Sequence, residues 1–508
     1  MRLSSWLRQT RPVRARRLLP IFALLALAAV ASALTIPNLF PFLDPTGFVA
    51  TYSTAGAVQE NNPFFQSLGT NGRTCATCHV SGDAFGLSVR SVQAKFVQTG
   101  GSDPLFATVD GANCPTASAG NPANHSLLLK SGLIRIGLAV PATAQFTISA
   151  EHDPYGCASV TDPETGVQTV SLYRRPLPTT NLGFLSTVMF DGRETIEPLA
   201  TPATFQANLF TDLAHQSMDA TLIHAQATVP PTDAQQMAIV NFELGLFSAQ
   251  LADNQAGPLF IGGALGGAEN LSKVAYYPGI NDSLGHDPTG QPFNPAGVFT
   301  IYSAWTNAQS PSGFRGEEAL IAARREIAAG EALFNTRALT ISNVRGLNDN
   351  TALGTVPVPP FQGTCTTCHD TPNVGDHSLP LALDIGTGHD ATHEADPLIA
   401  NGLAQLDVPD LPVFKITGCP NPFADPSQPP EPYVIYTTDP GKGLISGLCS
   451  DVSRTKGPVL RGLAARAPYF HNGAAENLTQ LVNFYNQRFQ MNLTDEEKSE
   501  LIAFLNSL

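Results

Sequence analysis

Apolar residues recur at helical spacing in a few long stretches, and these stretches predict the main elements of the chain. Residues 316–339 place Leu320, Ile327 and Phe334 at helical intervals without any proline, so we predict a helix there. Further helices are predicted over 232–251 and, as a pair, within 477–508. Strand-like alternation is limited to short patches such as 145–148 and 433–437. The pattern therefore predicts a mainly α fold.

Residues 256–315 break this pattern, because Gly, Pro, Asn and Ser replace the helical periodicity. We interpret them as a Gly/Pro-rich connection or insertion between an N-terminal domain (34–255) and a C-terminal domain (316–508). The composition agrees with a chain rich in loops. It contains 43 Gly and 41 Pro, and only 14% of its residues are charged, against about 25% in a typical protein.

The first 33 residues differ from the rest in having six arginines and no acidic residue. An apolar stretch follows these arginines and ends in Ala31-Ser32-Ala33. A basic region, a short apolar region and an A-x-A site predict a cleaved signal peptide over 1–33, and hence a periplasmic or secreted protein. An uncleaved single-span anchor is the alternative. No later apolar run approaches the roughly 20 residues that span a bilayer, so we expect no membrane association after cleavage.

The charge is −14 for the whole chain. Without the six arginines of the signal it becomes −20, from 22 basic and 42 acidic side chains. Nucleic-acid binding needs clustered Lys and Arg. The acidic balance therefore excludes a protein that binds nucleic acid through a basic surface.

Four of the eight cysteines form two C-x-x-C-H motifs, Cys75 and Cys78 before His79, and Cys365 and Cys368 before His369. This spacing attaches a c-type haem, because two thiols reach its two vinyl groups and the next residue supplies an imidazole to the iron. A zinc site would need four grouped ligands, and a thioredoxin-like dithiol would not be expected twice with a following His. We therefore predict two covalently bound haems, with His79 and His369 as iron ligands.

The other four cysteines lie in pairs after each haem motif. Local pairing, Cys114 with Cys157 and Cys419 with Cys449, is the simplest of three connectivities in an oxidising compartment.

The order of these motifs resembles the bacterial di-haem cytochrome c peroxidases and their relative MauG. Besides the two haem motifs, the resemblance is carried by Phe-Asp-Gly-Arg-Glu at 190–194, Gly-Pro-Val-Leu-Arg at 457–461 and Ala-Pro-Tyr-Phe-His-Asn-Gly at 467–473. It implies a C-terminal haem that relays electrons and an N-terminal haem that meets the oxidant. It also implies a calcium ion between the domains, but the usual Asn ligand falls near Pro176, which could not serve.

The resemblance places the sixth ligand of the C-terminal haem at Tyr485, where peroxidases carry Met and MauG carries Tyr. Met491 is the rival ligand. A phenolate would lower the haem potential, whereas a thioether would raise it.

For the N-terminal haem the sequence leaves the sixth position open or to one of four histidines. The candidates are His125, His152, His215 and His224. We take His224, with Gln226 and Arg193, as the catalytic group, because an imidazole can accept a proton from peroxide and return it to the leaving oxygen.

Two departures from the family pattern weaken a simple peroxidase interpretation. The tryptophan between the haems is replaced by Phe190, and residues 200–216 hold Gln206, Asp212 and His215 but no glutamate at the expected catalytic position.

Three functions remain open at this point. The first is a hydrogen-peroxide-using peroxidase or MauG-like oxidoreductase, the second a di-haem oxygenase that uses dioxygen, and the third a di-haem electron carrier without catalysis. The acidic surface favours a small basic cytochrome or a cupredoxin as redox partner, since opposite charge steers association.

Overall fold

The computed structural model describes residues 35–197, 201–309, 315–353, 355–389, 406, 408, 410–424 and 432–508. The predicted signal peptide lies outside these residues. Within them, none of the helices is both long and apolar enough to cross a bilayer.

The described part of the chain contains ten α-helices, several of them only one turn long. They are α1 (Cys75–Cys78), α2 (Val89–Thr99), α3 (Ser126–Ser131), α4 (Phe205–Ile223), α5 (Asp233–Leu244), α6 (Ala268–Leu271), α7 (Arg315–Thr336), α8 (Gly443–Ser446), α9 (Leu478–Arg488) and α10 (Asp495–Asn506).

Sixteen short strands alternate with these helices in the described residues. They are β1 (Thr35–Pro37), β2 (Phe42–Leu43), β3 (Gly47–Ser53), β4 (Ala57–Gln59), β5 (Ile134–Ala139), β6 (Thr147–His152), β7 (Ser159–Thr161), β8 (Gln168–Arg174), β9 (Leu246–Asp253), β10 (Gly257–Pro258), β11 (Leu339–Ile341), β12 (Phe361–Gly363), β13 (Ala382–Leu383), β14 (Val413–Pro420), β15 (Pro432–Thr437) and β16 (Thr455–Lys456). They form antiparallel sheets in the orders β1-β4, β10-β9-β3-β2, β11-β12, β13-β16, β15-β14-β6 and β5-β8-β7.

The prediction of a mainly α fold is therefore wrong, since 31% of the described residues are helical and 18% lie in strands of several sheets. The segment 232–251 shows why. Its helix ends at Leu244, and the chain continues as β9, which pairs antiparallel with β3. Pairing with a strand about 200 residues away cannot be read from a local apolar pattern, because the partner is supplied only by tertiary structure.

The long helices near the C-terminus agree with the prediction. The helix predicted over 316–339 is present as α7, and the pair predicted within 477–508 is present as α9 and α10. Thr494 caps α10 by accepting a hydrogen bond from the Glu497 amide, and the Glu497 side chain accepts one from the Thr494 amide in return. This capping box satisfies two amides that would otherwise lack partners.

Residues 256–309 supply buried side chains to the core around α7 and α10, in addition to linking the two halves. Tyr302 and Trp305 are almost fully buried and stack on each other. The Tyr302 hydroxyl donates to the Ser507 carbonyl at 2.6 Å, and the Trp305 indole donates to the Ile261 carbonyl at 3.0 Å. The proposed domain boundaries stay a prediction.

A three-stranded sheet takes strands from both halves of the chain, because β6 pairs with β14. Two disulfides lie near it, Cys114–Cys157 and Cys419–Cys449. The local pairing of the four remaining cysteines is thus confirmed, and Cys75, Cys78, Cys365 and Cys368 are free.

Candidate haem-binding site

The two C-x-x-C-H motifs fold into similar tight turns. Thr74 precedes α1 and Thr364 precedes the 3-10 turn Cys365–Thr367. In each motif the amide of the leading threonine donates to the hydroxyl of the threonine three residues later, at 3.0 Å in both cases. The shared T-C-x-T-C-H pattern thus builds a similar backbone turn in both places.

Each motif histidine has one ring nitrogen engaged by the backbone. His79 Nδ1 lies 3.2 Å from the Phe85 carbonyl oxygen, and His369 Nδ1 lies 2.6 Å from the Gly375 carbonyl oxygen, six residues on in both cases. Because a carbonyl only accepts, Nδ1 carries the proton and Nε2 keeps its lone pair, the form that binds a metal. Burial lowers the pKa of His79 to about 4 and also lowers the pKa of His369, so both rings are neutral at pH 7.

Each motif lines a large and mostly apolar cavity. The N cavity has Cys75, Cys78 and His79 in its wall, and the space free of protein atoms there is about 1580 Å³, open solvent at its mouth included. The C cavity is lined by Cys365, Cys368 and His369, and the corresponding space is about 1740 Å³.

The residues present fit a haem in both cavities. Each cavity brings two free thiols and one neutral imidazole to a single wall. Burial raises the pKa of Cys78 to about 11 and that of Cys365 and Cys368 to about 12. The thiols are therefore neutral, and the two pairs lie in separate cavities, which disfavours a shared zinc thiolate site.

The two cavities share a wall. Seven residues line both of them: Arg175, Pro176, Leu177, Pro178, Phe190, Lys456 and Pro458. Phe190 is the aromatic residue of this wall, and its carbonyl accepts a hydrogen bond from the Lys456 amide at 2.8 Å. The phenylalanine that replaces the family's tryptophan thus stands between the cavities.

Of the four candidate histidines for the N-terminal haem, His224 lines the N cavity. His125 is fully buried elsewhere, with Nδ1 2.7 Å from the Gly111 carbonyl oxygen, and His152 is exposed on β6. His215 is partly exposed and lies 2.7 Å from Glu194. His224 is also close enough to disfavour protonation of His79, so these two histidines share one site.

The His224 ring is positioned by a buried carboxylate. His224 Nδ1 lies 2.5 Å from Asp110 Oδ2, and Asp110 also pairs with the buried guanidinium of Arg73. Burial alone would raise the pKa of Asp110, but the His224 hydrogen bond and the Arg73 charge outweigh it and lower the pKa. The ionised carboxylate orients the imidazole by binding Nδ1, so Nε2 remains available to exchange a proton or to bind a ligand.

Gln226, predicted to act beside His224, lies outside the lining of the N cavity and is exposed. Its backbone has a positive φ of 54°, so the chain turns away after Ala225. Its side-chain oxygen instead lies 3.4 Å from the side-chain amide nitrogen of Asn71.

Arg193 lines the N cavity and is held by Asp191, with Nη1 to Oδ2 at 3.0 Å. Asp191 also pairs with Arg174, which is bound through Nε and Nη2 to Asp439 at 2.6 and 2.8 Å. All four residues are buried apart from a small part of Arg193. This network connects the Asp-Gly-Arg element to the C-terminal half of the chain.

Both rivals for the sixth position of the C-terminal haem line the C cavity. Tyr485 stacks on Phe489 with ring centroids 5.8 Å apart. Burial, and to a smaller extent the nearby cysteines, raise the pKa of its phenol. Met491 is buried in the same wall. Without an iron charge beside it, the Tyr485 phenol is therefore neutral at pH 7.

Glu243 is a residue of the N cavity that the sequence analysis missed. It lies on α5 and is 3% exposed, and its Oε2 has no hydrogen-bond partner among the described residues. Burial raises its pKa to about 8. Its position one turn after Ile239 on an apolar helix face was a usable signal, because a charged residue on a buried face needs a reason.

The residues near Pro176 do not fit a calcium ion. Arg175 is buried there, and its guanidinium donates to the carbonyls of Leu87, Ser131 and Arg466, the last two at 3.0 and 2.6 Å. A fixed positive charge already binds the carbonyl oxygens at this place, and a second cation would be repelled.

Two curated relatives are similar to part of the chain. Cytochrome-c peroxidase IdrP2 of Denitromonas iodatirespirans is 30% identical over 154 residues, which are 29% of this chain and 36% of that protein. The protein of the same name from Pseudomonas sp. (strain SCT) is 29% identical over 151 residues, which are 28% of this chain and 35% of that protein. The similarity supports a cytochrome c peroxidase-like family.

The match spans about a third of the length of these relatives, and it does not single out MauG. No protein-family model matches the chain. No solved structure matches it.

Proposed function

We propose that this chain is an exported di-haem c-type cytochrome that acts as a peroxidase, with one haem in each cavity. Cys75 and Cys78 would hold the first haem, and Cys365 and Cys368 the second. The observation that carries the proposal is a pair of apolar cavities, each with one C-x-x-C-H turn in its wall, that share seven wall residues. The names of the two relatives support hydrogen peroxide as the oxidant.

The haem of the N cavity would supply the redox chemistry that cleaves peroxide. The chain's own contribution is proton handling at His224. Its Nε2 would accept a proton from one oxygen of peroxide and return it to the other oxygen, which leaves. Asp110 would stabilise the imidazolium that exists between these two proton transfers. Arg193, in the same cavity, adds a positive charge that stabilises negative charge on the leaving oxygen.

Electrons would reach the N cavity from the C cavity across the shared wall. His369 would hold the C-terminal haem, and we propose Tyr485 as a second residue that would hold it, with Met491 as its rival. A bound phenolate lowers the potential and stabilises the oxidised haem, which suits a haem that stores an oxidising equivalent, as in MauG-like enzymes.

The test is an optical and EPR spectrum of the purified protein before and after one equivalent of hydrogen peroxide, in the oxidised and half-reduced states. We expect a high-spin haem that responds to peroxide, and a slower response in His224→Gln. Cys365→Ala/Cys368→Ala should remove one of two haems in mass spectrometry. Two low-spin haems that do not respond to peroxide in either state would refute peroxidase function.

A second candidate is a di-haem electron carrier, favoured by the closeness of His224 to His79. If His224 binds the iron, the N-terminal haem is low-spin in the resting protein. His224→Gln would then convert it to high-spin, whereas an acid/base His224 leaves the resting spin state unchanged.

A further inference from the structure

Three potential metal ligands meet in a buried cluster outside both haem motifs. Asp282, Asp370 and His377 each offer one ligand atom, and these atoms all lie within 4.8 Å of one another. The side chains of the two aspartates are 0% exposed and that of His377 is 5% exposed.

Two of these ligand atoms lack a hydrogen-bond partner among the described residues, namely Asp282 Oδ1 and His377 Nε2. They lie 3.8 Å apart, and His377 Nε2 lies 3.2 Å from Asp370 Oδ2. A buried polar group without a partner costs free energy, so such groups in a native protein usually mark a water or an ion.

The remaining atoms of the cluster are held in place by the backbone. Asp282 Oδ2 accepts from the His286 amide at 2.8 Å, and Asp370 Oδ1 accepts from the Ser378 amide at 2.7 Å. Asp370 Oδ2 also accepts from the Ser283 amide at 3.1 Å. The carboxylates are therefore oriented before any ion binds, each with one oxygen toward His377.

The spacing suits a small divalent metal ion. Zinc binds carboxylate oxygen and imidazole nitrogen at about 2.0–2.2 Å, which places tetrahedral ligand atoms roughly 3.3–3.6 Å apart. The two distances around His377 Nε2, 3.2 and 3.8 Å, bracket this range. His377 Nδ1 accepts from the Leu379 amide at 3.3 Å, so without metal the ring proton sits on Nε2 between the carboxylates, and a metal ion would take its place.

The charges around the cluster also favour a cation. Asp376 lies close enough to Asp370 for their charges to interact, and the ammonium of Lys456 interacts with Asp376. On the other side, the ring of His286 lies 2.9 Å from Asp282 and is mostly exposed. Among the described residues, no Lys or Arg side chain forms an ion pair with these two buried carboxylates.

We propose that Asp282, Asp370 and His377 form a structural site for one divalent transition metal ion, with zinc as the type ion. Two carboxylates and one imidazole are ligands that zinc accepts, whereas calcium prefers six to eight oxygens. A metal ion at this site would link the 256–315 segment, which contributes Asp282, to the loop that follows the second haem motif. That loop also contains Gly375, whose carbonyl holds His369. The site does not depend on the proposed peroxidase function.

The test is the metal content and metal affinity of the full-length protein with its haems in place. We expect about one equivalent of zinc per chain, beyond iron, by mass spectrometry of the metals. After dialysis against a chelator, zinc chloride should bind with one-to-one stoichiometry in calorimetry, and calcium chloride should not. Asp282→Asn and His377→Gln should each weaken zinc binding by at least tenfold.

The matched control is His215→Gln, which breaks the other group of histidine and carboxylates, Glu194, His215 and Asp219. It should leave the stoichiometry and the affinity unchanged. If the Asp282 or His377 variants do not fold, wild type decides, because zinc should raise the unfolding temperature of chelator-treated protein. Absence of one-to-one zinc binding in wild type, retention of affinity in a folded Asp282→Asn, or preference for calcium would each overturn the proposal.

Discussion

Glu243 provides a test of the N cavity that does not require turnover. Its carboxyl is buried and lacks a counter-charge, and burial raises its pKa from 4.5 to about 8. Between these two values the folded chain holds a proton that the unfolded chain has released. The free energy of unfolding therefore falls as pH rises from about 4.5 to about 8, and is flat outside this window as far as Glu243 is concerned.

One pKa unit corresponds to about 1.4 kcal/mol. From pH 5 to pH 8 the Glu243 contribution thus falls by about 4 kcal/mol. Glu243→Gln removes this titration but keeps the shape of the side chain. As the pH rises from 5 to 8, the free energy of unfolding of the variant minus that of wild type should therefore increase by about 4 kcal/mol, whatever that difference is at pH 5.

The assay is urea unfolding of the haem-loaded protein at pH 5, 6, 7 and 8. It is monitored by a spectroscopic signal that reports unfolding of the N-terminal half. The matched control is Glu164→Gln, an exposed glutamate in a surface turn, whose stability difference from wild type should not change over this range. If the Glu243→Gln difference varies by less than about 1 kcal/mol from pH 5 to pH 8, the carboxyl is not buried without a partner and the description of the N cavity is wrong.

Three further predictions concern packing, the disulfides and the partner. Gly330→Ala should destabilise the contact between α7 and α10 by about 1–3 kcal/mol, since a Cβ there would lie 1.9 Å from the Glu500 carbonyl oxygen. The control is Gly183→Ala, whose Cβ would have nothing within 4 Å. Equal unfolding temperatures for the two variants would contradict this prediction. Replacing Cys419 and Cys449 by alanine should cost about 2–4 kcal/mol, measured by urea unfolding against wild type, and no loss would show that the disulfide adds nothing to stability. Turnover with a small basic cytochrome should fall steeply as salt is raised, because attraction to the acidic chain, whose charge becomes −20 if the predicted signal is cleaved, is screened. A rate independent of salt in stopped-flow would exclude this steering.

The sequence determined the features whose chemistry is local. The spacing of Cys75, Cys78 and His79 and its repeat at 365–369 predict haem attachment, because thiols and imidazole must lie within one turn of each other. The apolar periodicity of α7, α9 and α10 was likewise sufficient to predict these helices. Proximity along the chain favoured local pairing as the simplest of three disulfide connectivities, and the structure has these two pairs.

Tertiary structure decided what depends on distant residues. Four histidines were candidates for the sixth position by sequence, with His224 preferred as the catalytic group. The fold brings His224 to the N cavity because α4 ends beside the first C-x-x-C-H turn and Asp110 fixes the ring. The strand β9 was missed because its partner β3 lies far away in sequence, whereas the patches at 145–148 and 433–437 fall on β6 and β15. Glu243 lies on an apolar helix face that the sequence already shows, but only the fold reveals that this face lines a cavity. A local pattern specifies which elements form, but the distances that create a cavity, a shared wall or a metal cluster arise between segments and depend on the packed core.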